Sequence, residues 1–452
     1  MNKKPIYEQI YEDFVREIKR GRYRTNERLP SVRQLAKDLG VSKTTVESAY
    51  ALLISEGYIE NIPSYGHIVL NIDTLISGCG EKSSRCSKAQ NSRILYDFSY
   101  SDLSSESFPL SLWRRLTNKA LLSEDIDKAS HYGDKQGEPE LRKEIAAYLR
   151  LSRGMLCDPD QIVITCGIQY SLDIIVKLSE KRVVAMEEPG YYNIRDTFIN
   201  NGYEILPVPV EKDGIDLDSL RDDAGLVFTT PSHQMPTGAV MPYSRRKQLL
   251  EWAENADSYI IEDDYDHEFL YDLKTVQPLQ SIDTYDRVIY LGTFSKVFSP
   301  ALRLSYFVLP KKLLQKYHRL FHYYYCMVSW LQQRIITLYM AEGYWERRVN
   351  KIYSDNRRKR NAILDAVKQY MGEKVSVSGS EGGTHVVVTV SGTREQDELI
   401  SLALQKGVKV YSTMPFWLNK DKAPLNSILL GFNAVREADV FPGIKLLNEA
   451  WF

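Results

Sequence analysis

Lys296 closes the stretch Arg287-Val-Ile-Tyr-Leu-Gly-Thr-Phe-Ser-Lys296, an apolar run that reads as a buried strand leading into a turn of small residues. Arg303 follows in the same segment. Asp263 lies upstream in Glu262-Asp263-Asp264-Tyr265, at the end of a second apolar strand, Tyr259-Ile260-Ile261. An amine, a carboxylate and a guanidinium at strand ends are the groups that pyridoxal phosphate requires. The amine condenses with the aldehyde, the carboxylate pairs with the pyridinium nitrogen, and the guanidinium grips the phosphate. A lone lysine near an arginine is usually a surface ion pair, so the reading rests on all three together.

Such groups need a scaffold. Apolar strands alternate with helical stretches at Gln161–Cys166, Val183–Met186, Leu226–Thr229, Tyr259–Ile261, Val288–Leu291 and Leu304–Leu309. That alternation predicts an α/β domain with a mostly parallel sheet, in which ligands bind at the carboxyl ends of the strands, where Asp263 and Lys296 fall. The large domain is expected over 94–315. A helical, aromatic-rich stretch, Tyr317 to Arg358, opens a smaller α+β part over 316–452, with strands near His385–Val390 and Val408–Tyr411. Residues 71–93 are rich in Ser, Gly and charged side chains and read as a linker.

Residues 1–70 follow a different pattern. Ile6, Ile10, Phe14 and Ile18 recur on one helical face from Pro5 to Arg20. Ser31 and Gln34 form a capping-box pair for a second helix that stops at Gly40, and Ser42 starts a third that ends at Gly57. Two short helices split by Gly40-Val41 make a helix-turn-helix. Tyr58-Ile59 and His67–Leu70 bracket Pro63-Ser-Tyr-Gly66 as a two-stranded wing. In this arrangement Ser42-Lys43-Thr44-Thr45 opens a recognition helix for the major groove. Ser31 and Arg33 stand at the preceding helix start, Arg33 for a phosphate, and Gly66-His67 would enter the minor groove. Nine Lys/Arg against three acids between Arg16 and Lys43 support operator DNA as a partner. A winged helix used for protein contacts is the alternative.

The whole chain carries a net charge of −1, so any nucleic-acid affinity must be local. Hydrophobic content of 43% over 452 residues fits a multidomain globular protein. No apolar run is long enough to span a bilayer, and the start shows no signal peptide, so no membrane partner and a cytoplasmic location are expected. The five cysteines form no C-x-x-C pair and read as reduced thiols, Cys79 and Cys86 included. No metal site is expected.

The N-terminal segment resembles the GntR-type winged helix through Arg28-Leu-Pro-Ser-Val-Arg-Gln-Leu-Ala, Leu39-Gly-Val-Ser-Lys-Thr-Thr-Val and Ala49-Tyr-Ala-Leu-Leu-Ile-Ser-Glu-Gly57. Further on come His131-Tyr-Gly-Asp-Lys-Gln-Gly-Glu-Pro, Thr165-Cys-Gly-Ile-Gln169, Glu187-Glu-Pro-Gly-Tyr191 and Thr229-Thr-Pro-Ser-His-Gln-Met-Pro-Thr-Gly238. With the aspartate and lysine segments, these resemble fold-type I aminotransferases. The combination is similar to the MocR/GabR family of pyridoxal-phosphate-dependent transcription regulators. The resemblance implies that Lys296 carries the cofactor as a Schiff base and that Asp263 pairs with its ring nitrogen. Tyr265 would donate to the phenolic oxygen. Tyr191 would stack on the ring, unless it is ordinary core. Arg303, Thr293, Ser295 and the helix start Gly167-Ile168-Gln169 would hold the phosphate.

Three departures from catalytic aminotransferases stand out. Met235 occupies the usual asparagine position, so a hydrogen bond to the cofactor is missing or comes from His233 or Gln234. Leu429-Leu-Gly-Phe432 lacks the arginine that would bind a substrate carboxylate, which leaves Arg195 and Arg436 as the nearest candidates. Ser305 replaces a common glycine. The resulting expectation is a cytoplasmic regulator that senses a small amine or amino acid at Lys296. It would form a head-to-tail homodimer and carry no more than residual half-transamination. A working aminotransferase with an appended DNA-binding domain, and a DNA-binding protein with a dead cofactor-free domain, are the alternatives.

Overall fold

Apolar residues spaced by four along Ile6–Lys19 (α1) put Ile10, Phe14 and Ile18 into one small core with Val46, Ala49, Tyr50 and Leu53 of Lys43–Ser55 (α3). A computed structural model describes residues 5–63, 65–70, 94–104, 106–271 and 277–452. The expected linker, with Cys79 and Cys86, lies outside the described residues. The chain divides after Ala89 into two compact units.

In the first unit, Val32–Leu39 (α2) begins at Ser31, whose hydroxyl accepts from Gln34 N at 3.2 Å, and ends at left-handed Gly40 (φ 64°). Only half of the expected capping box forms, because the Gln34 side chain donates to Asp38 one turn on, at 2.7 Å. Ser42 caps α3 in the same way, accepting from Thr45 N. Strands Ile59–Ile62 (β1) and Gly66–Val69 (β2) pair antiparallel as the wing.

The second unit begins with Tyr96–Asp97 (β3) and is built around a sheet of eight strands. These are Ile162–Thr165 (β4), Val183–Glu188 (β5), Glu204–Glu211 (β6), Gly214–Ile215 (β7), Ala224–Thr229 (β8), Tyr259–Asp263 (β9), Val288–Thr293 (β10) and Ser305–Val308 (β11). Their order is β4-β11-β10-β9-β8-β5-β6-β7. β6, β5, β8, β9 and β10 run parallel. β11 turns back between β10 and β4, antiparallel to both, so the sheet is mostly parallel, as expected, with β11 reversed. β6 and β7 were not foreseen; Pro207 and Pro209 inside β6 hide its strand pattern.

The helical stretch after Pro310 resolves into Lys311–Leu320, Trp330–Ala341 and the long helix Tyr344–Tyr370. Val375–Ser378 (β12), His385–Val390 (β13), Tyr411–Ser412 (β15) and Ser427–Gly431 (β16) form an antiparallel sheet in the order β12-β13-β16-β15. The strand expected over Val408–Tyr411 is split, because Val408–Lys409 (β14) leaves this sheet to pair with β3. Ile428 and Leu430 of β16 enter the main core, while Leu429, on the other face, packs with Met235 and Phe416.

Candidate functional site

The strand ends of the large sheet enclose a cavity of about 450 Å³, inside the usual range for a small-molecule site. Nine of the residues singled out from the sequence line it: Lys296, Asp263, Tyr265, Tyr191, Arg303, Thr293, Ser295, Ile168 and Gln169. The acidic run on β9 shows how the sheet selects among neighbours. Side chains alternate across the strand. Glu262 accepts from Leu279 N at 2.7 Å and Gln280 N at 3.0 Å, and faces Arg246. Asp264 meets Arg153 at 2.9 Å, both fully buried, and accepts from the Tyr290 hydroxyl. Burial pushes Asp264 up, but Arg153 and then His267 bring it down to about 2. Glu262 is raised to about 7, by burial first and then by Asp264. Asp263 alone faces the cavity.

Asp263 is 6% exposed, and its carboxyl has no hydrogen-bond or ion-pair partner among the described residues. Burial, then Asp264 and Asp266, raise it well above the ordinary carboxylate range. A cationic ring nitrogen beside it would reverse that balance. The Lys296 amine donates to the Tyr100 carbonyl at 3.0 Å and lies 5.9 Å from the Tyr265 ring centre. Burial lowers its pKa, which favours the neutral, nucleophilic amine.

Arg303 adopts a left-handed backbone (φ 50°) and its guanidinium has no hydrogen-bond or ion-pair partner among the described residues. It lies against Gly167, which has φ 113°; a Cβ there would come within 2.3 Å of Arg303 Nη2. Gly167 precedes the helix Ile168–Ile175, whose first amide groups are open to an anion. Thr293 Oγ1 accepts from Ser295 N and from Ser305, so the serine in place of glycine joins this network. A free guanidinium, a helix start, hydroxyls, a buried lone carboxyl and a low-pKa lysine fit pyridoxal phosphate.

Other expectations need correction. His233 and Gln234 do not line the cavity. His233 Nδ1 bonds Asp266 at 2.9 Å, and the Gln234 amide donates to Glu187, the Pro189 carbonyl and the Met235 carbonyl. Arg195 gives its guanidinium to the carbonyls of Pro415, Phe416 and Trp417, so it has little left for an effector carboxylate. Arg436 is exposed at the start of the last helix and pairs with Asp439 at 2.6 Å. Sequence reasoning missed Tyr100, Asn193, Thr384 and His385 on the cavity wall. Only their arrival from distant segments identifies them.

In the first unit, Arg33, Lys43 and Thr44 are exposed, while Ser31, Ser42 and Thr45 spend their side chains on capping. Gly66 and His67 belong to β2 and not to the tip of the wing. His67 is turned edge-on against Tyr50, with ring centres 4.8 Å apart. Tyr65 is exposed at the tip, and the exposed Arg28 guanidinium lies 5.4 Å from its ring centre.

Residues 88–420 match the family described as aminotransferase class I and II, and residues 6–69 match bacterial regulatory proteins, gntR family. The uncharacterized HTH-type transcriptional regulator YdeL of Bacillus subtilis is 37% identical over 99% of this chain and 97% of its own length. The probable rhizopine catabolism regulatory protein MocR of Rhizobium meliloti is 30% identical, covering 99% and 94%. Among solved structures, the kynurenine aminotransferase of Pyrococcus horikoshii superposes with a TM-score of 0.71 at 27% identity, covering 80% of this chain and 91% of that one.

Proposed function

The chain belongs to the family of HTH-type transcriptional regulators that join a gntR-type DNA-binding domain to a class I and II aminotransferase domain, and from that premise we propose that it reports a small amine or amino acid to operator DNA through pyridoxal phosphate held in the cavity. The aminotransferase fold implies dependence on that cofactor. The observation that carries the reading is the convergence of unpartnered Asp263, low-pKa Lys296 and the Arg303–Gly167 seat on one cavity.

When bound, the cofactor supplies an aldehyde that takes primary amines reversibly. Arg303, Thr293, Ser295 and the amides from Ile168 on would hold its phosphate, and Asp263 its ring nitrogen. Tyr191 would stack on the ring and the Tyr265 hydroxyl would donate to its phenolic oxygen. Lys296 is the cavity's own amine. An effector is therefore read as a change in which amine occupies the site, and its differential contacts shift the protein between two states. Arg33, Lys43 and Thr44 would carry DNA contact.

The protein acts in the cytoplasm, where its DNA is, and as a homodimer. Exposed Tyr132 and Tyr325 stack at 4.6 Å beside exposed Tyr323 and Met327, an aromatic patch that a second copy would cover. The test is to load the purified protein with pyridoxal phosphate and titrate it with amines and amino acids. Visible absorption and affinity for the DNA flanking its own reading frame are followed together. A spectral change that alters DNA affinity without keto product supports the reading; steady keto-product formation with unchanged DNA binding refutes it and favours an aminotransferase.

A further inference from the structure

The wall of the cavity distinguishes among amines. Among the described residues only two cationic side chains line it, Lys296 and Arg303, and both belong to the cofactor seat. Behind Met235 lies a closed cluster of Met235, Phe416 and Leu429, with Tyr100, Tyr192, Tyr265, Tyr411 and Trp417 packed against it. Leu429 is completely buried on the face of β16 opposite the main core, so no water reaches behind it. Arg195, the cation nearest in sequence to the Tyr191 wall, is held by three carbonyls. Of the carboxylates whose charge reaches the Lys296 amine, Asp263 lines the cavity, while Asp266 is taken by His233.

His385 completes the wall. Its Nε2 donates to the Pro236 carbonyl at 3.0 Å, which leaves Nδ1 an acceptor, and burial keeps the ring neutral. A carboxylate entering here would lose its water and meet no cation outside the cofactor seat.

We propose that the effector is a primary amine without a carboxylate on the amine-bearing carbon, with an apolar or aromatic body that rests on the tyrosine and methionine wall that Leu429 backs. This rests on the reading above and narrows it.

The experiment uses the full chain loaded with pyridoxal phosphate and pairs of compounds that differ only by the carboxylate: 2-phenylethylamine with L-phenylalanine, tyramine with L-tyrosine, cadaverine with L-lysine. Visible absorption and the thermal midpoint are read for each. The amines should act at concentrations at least about tenfold lower than their partners, the factor that about 1.4 kcal/mol of unmet charge represents. Leu429→Arg should shrink or reverse that preference; if this variant does not fold, the wild-type pairs decide alone. Amino acids that act as strongly as, or more strongly than, their amines overturn the inference and leave the sensing reading standing. Cofactor-loaded protein that responds to neither series overturns the sensing reading and this inference with it.

Discussion

At the scale of the residue, three neighbours of near-identical chemistry do different work. Glu262 and Asp264 are locked to Arg246 and Arg153, and Asp263 is left for the cavity. Sequence reading chose Asp263 from its place in the motif; the alternation of β9 supplies the physical reason. Lys296→Ala should abolish the visible absorption of bound pyridoxal phosphate with an unchanged far-UV spectrum, and retained absorption would show that another amine holds the cofactor. Gly167→Ala must sit at φ 113° with its methyl against Arg303, so cofactor affinity should fall roughly tenfold or more in equilibrium dialysis. His385 is held down to about 4, first by burial and then by His233, against an ordinary 6.5. A depressed folded-state pKa means that its contribution to stability is present above about 6.5 and is lost as pH falls through 4, roughly 2–4 kcal/mol in all. Melts of wild type and His385→Gln between pH 7 and pH 4 should differ by that slope; parallel curves would place the loss elsewhere.

At the scale of the element, legibility followed periodicity. The winged-helix helices were readable because caps and apolar spacing agree: Ser42 accepts from Thr45 N as its position before α3 predicts. Ser42→Ala should cost about 1 kcal/mol in the unfolding of the first unit, followed by denaturant titration. The strands that carry Asp263 and Lys296 were legible as continuous apolar runs. β6 was not, since two prolines and alternating exposure at a sheet margin mimic a loop. Nor was the reversal of β11, because an apolar run says nothing about strand direction. His67 was misplaced for a related reason: the turn residues were clear, but not which way a strand residue faces, and Tyr50 takes its ring. Arg195 looked available because sequence cannot show that three consecutive carbonyls already hold it.

At the scale of the whole molecule, a net charge of −1 hides a basic first unit, so DNA affinity should be salt-sensitive and local. If Arg33 contacts a phosphate, Arg33→Ala should lower the slope of log affinity against log salt by about one, with little change in sequence preference. Tyr132→Glu should weaken self-association tenfold or more in sedimentation, since it buries a charge in the proposed aromatic contact. The return of β11 has a further consequence. Thr293 pairs with Ser305, so Lys296 and Arg303 lie on one excursion whose two feet are clamped side by side. The amine and the phosphate grip thus sit like the arms of a calliper whose hinge is the β10–β11 ladder, which favours a fixed spacing between them. On the proposed reading, the facing wall, Tyr100 before the large sheet and Thr384–His385 at the start of β13, would register occupancy, and the Lys296 amine touches it at one point, the Tyr100 carbonyl at 3.0 Å, a bond that the amine gives up when it is engaged elsewhere.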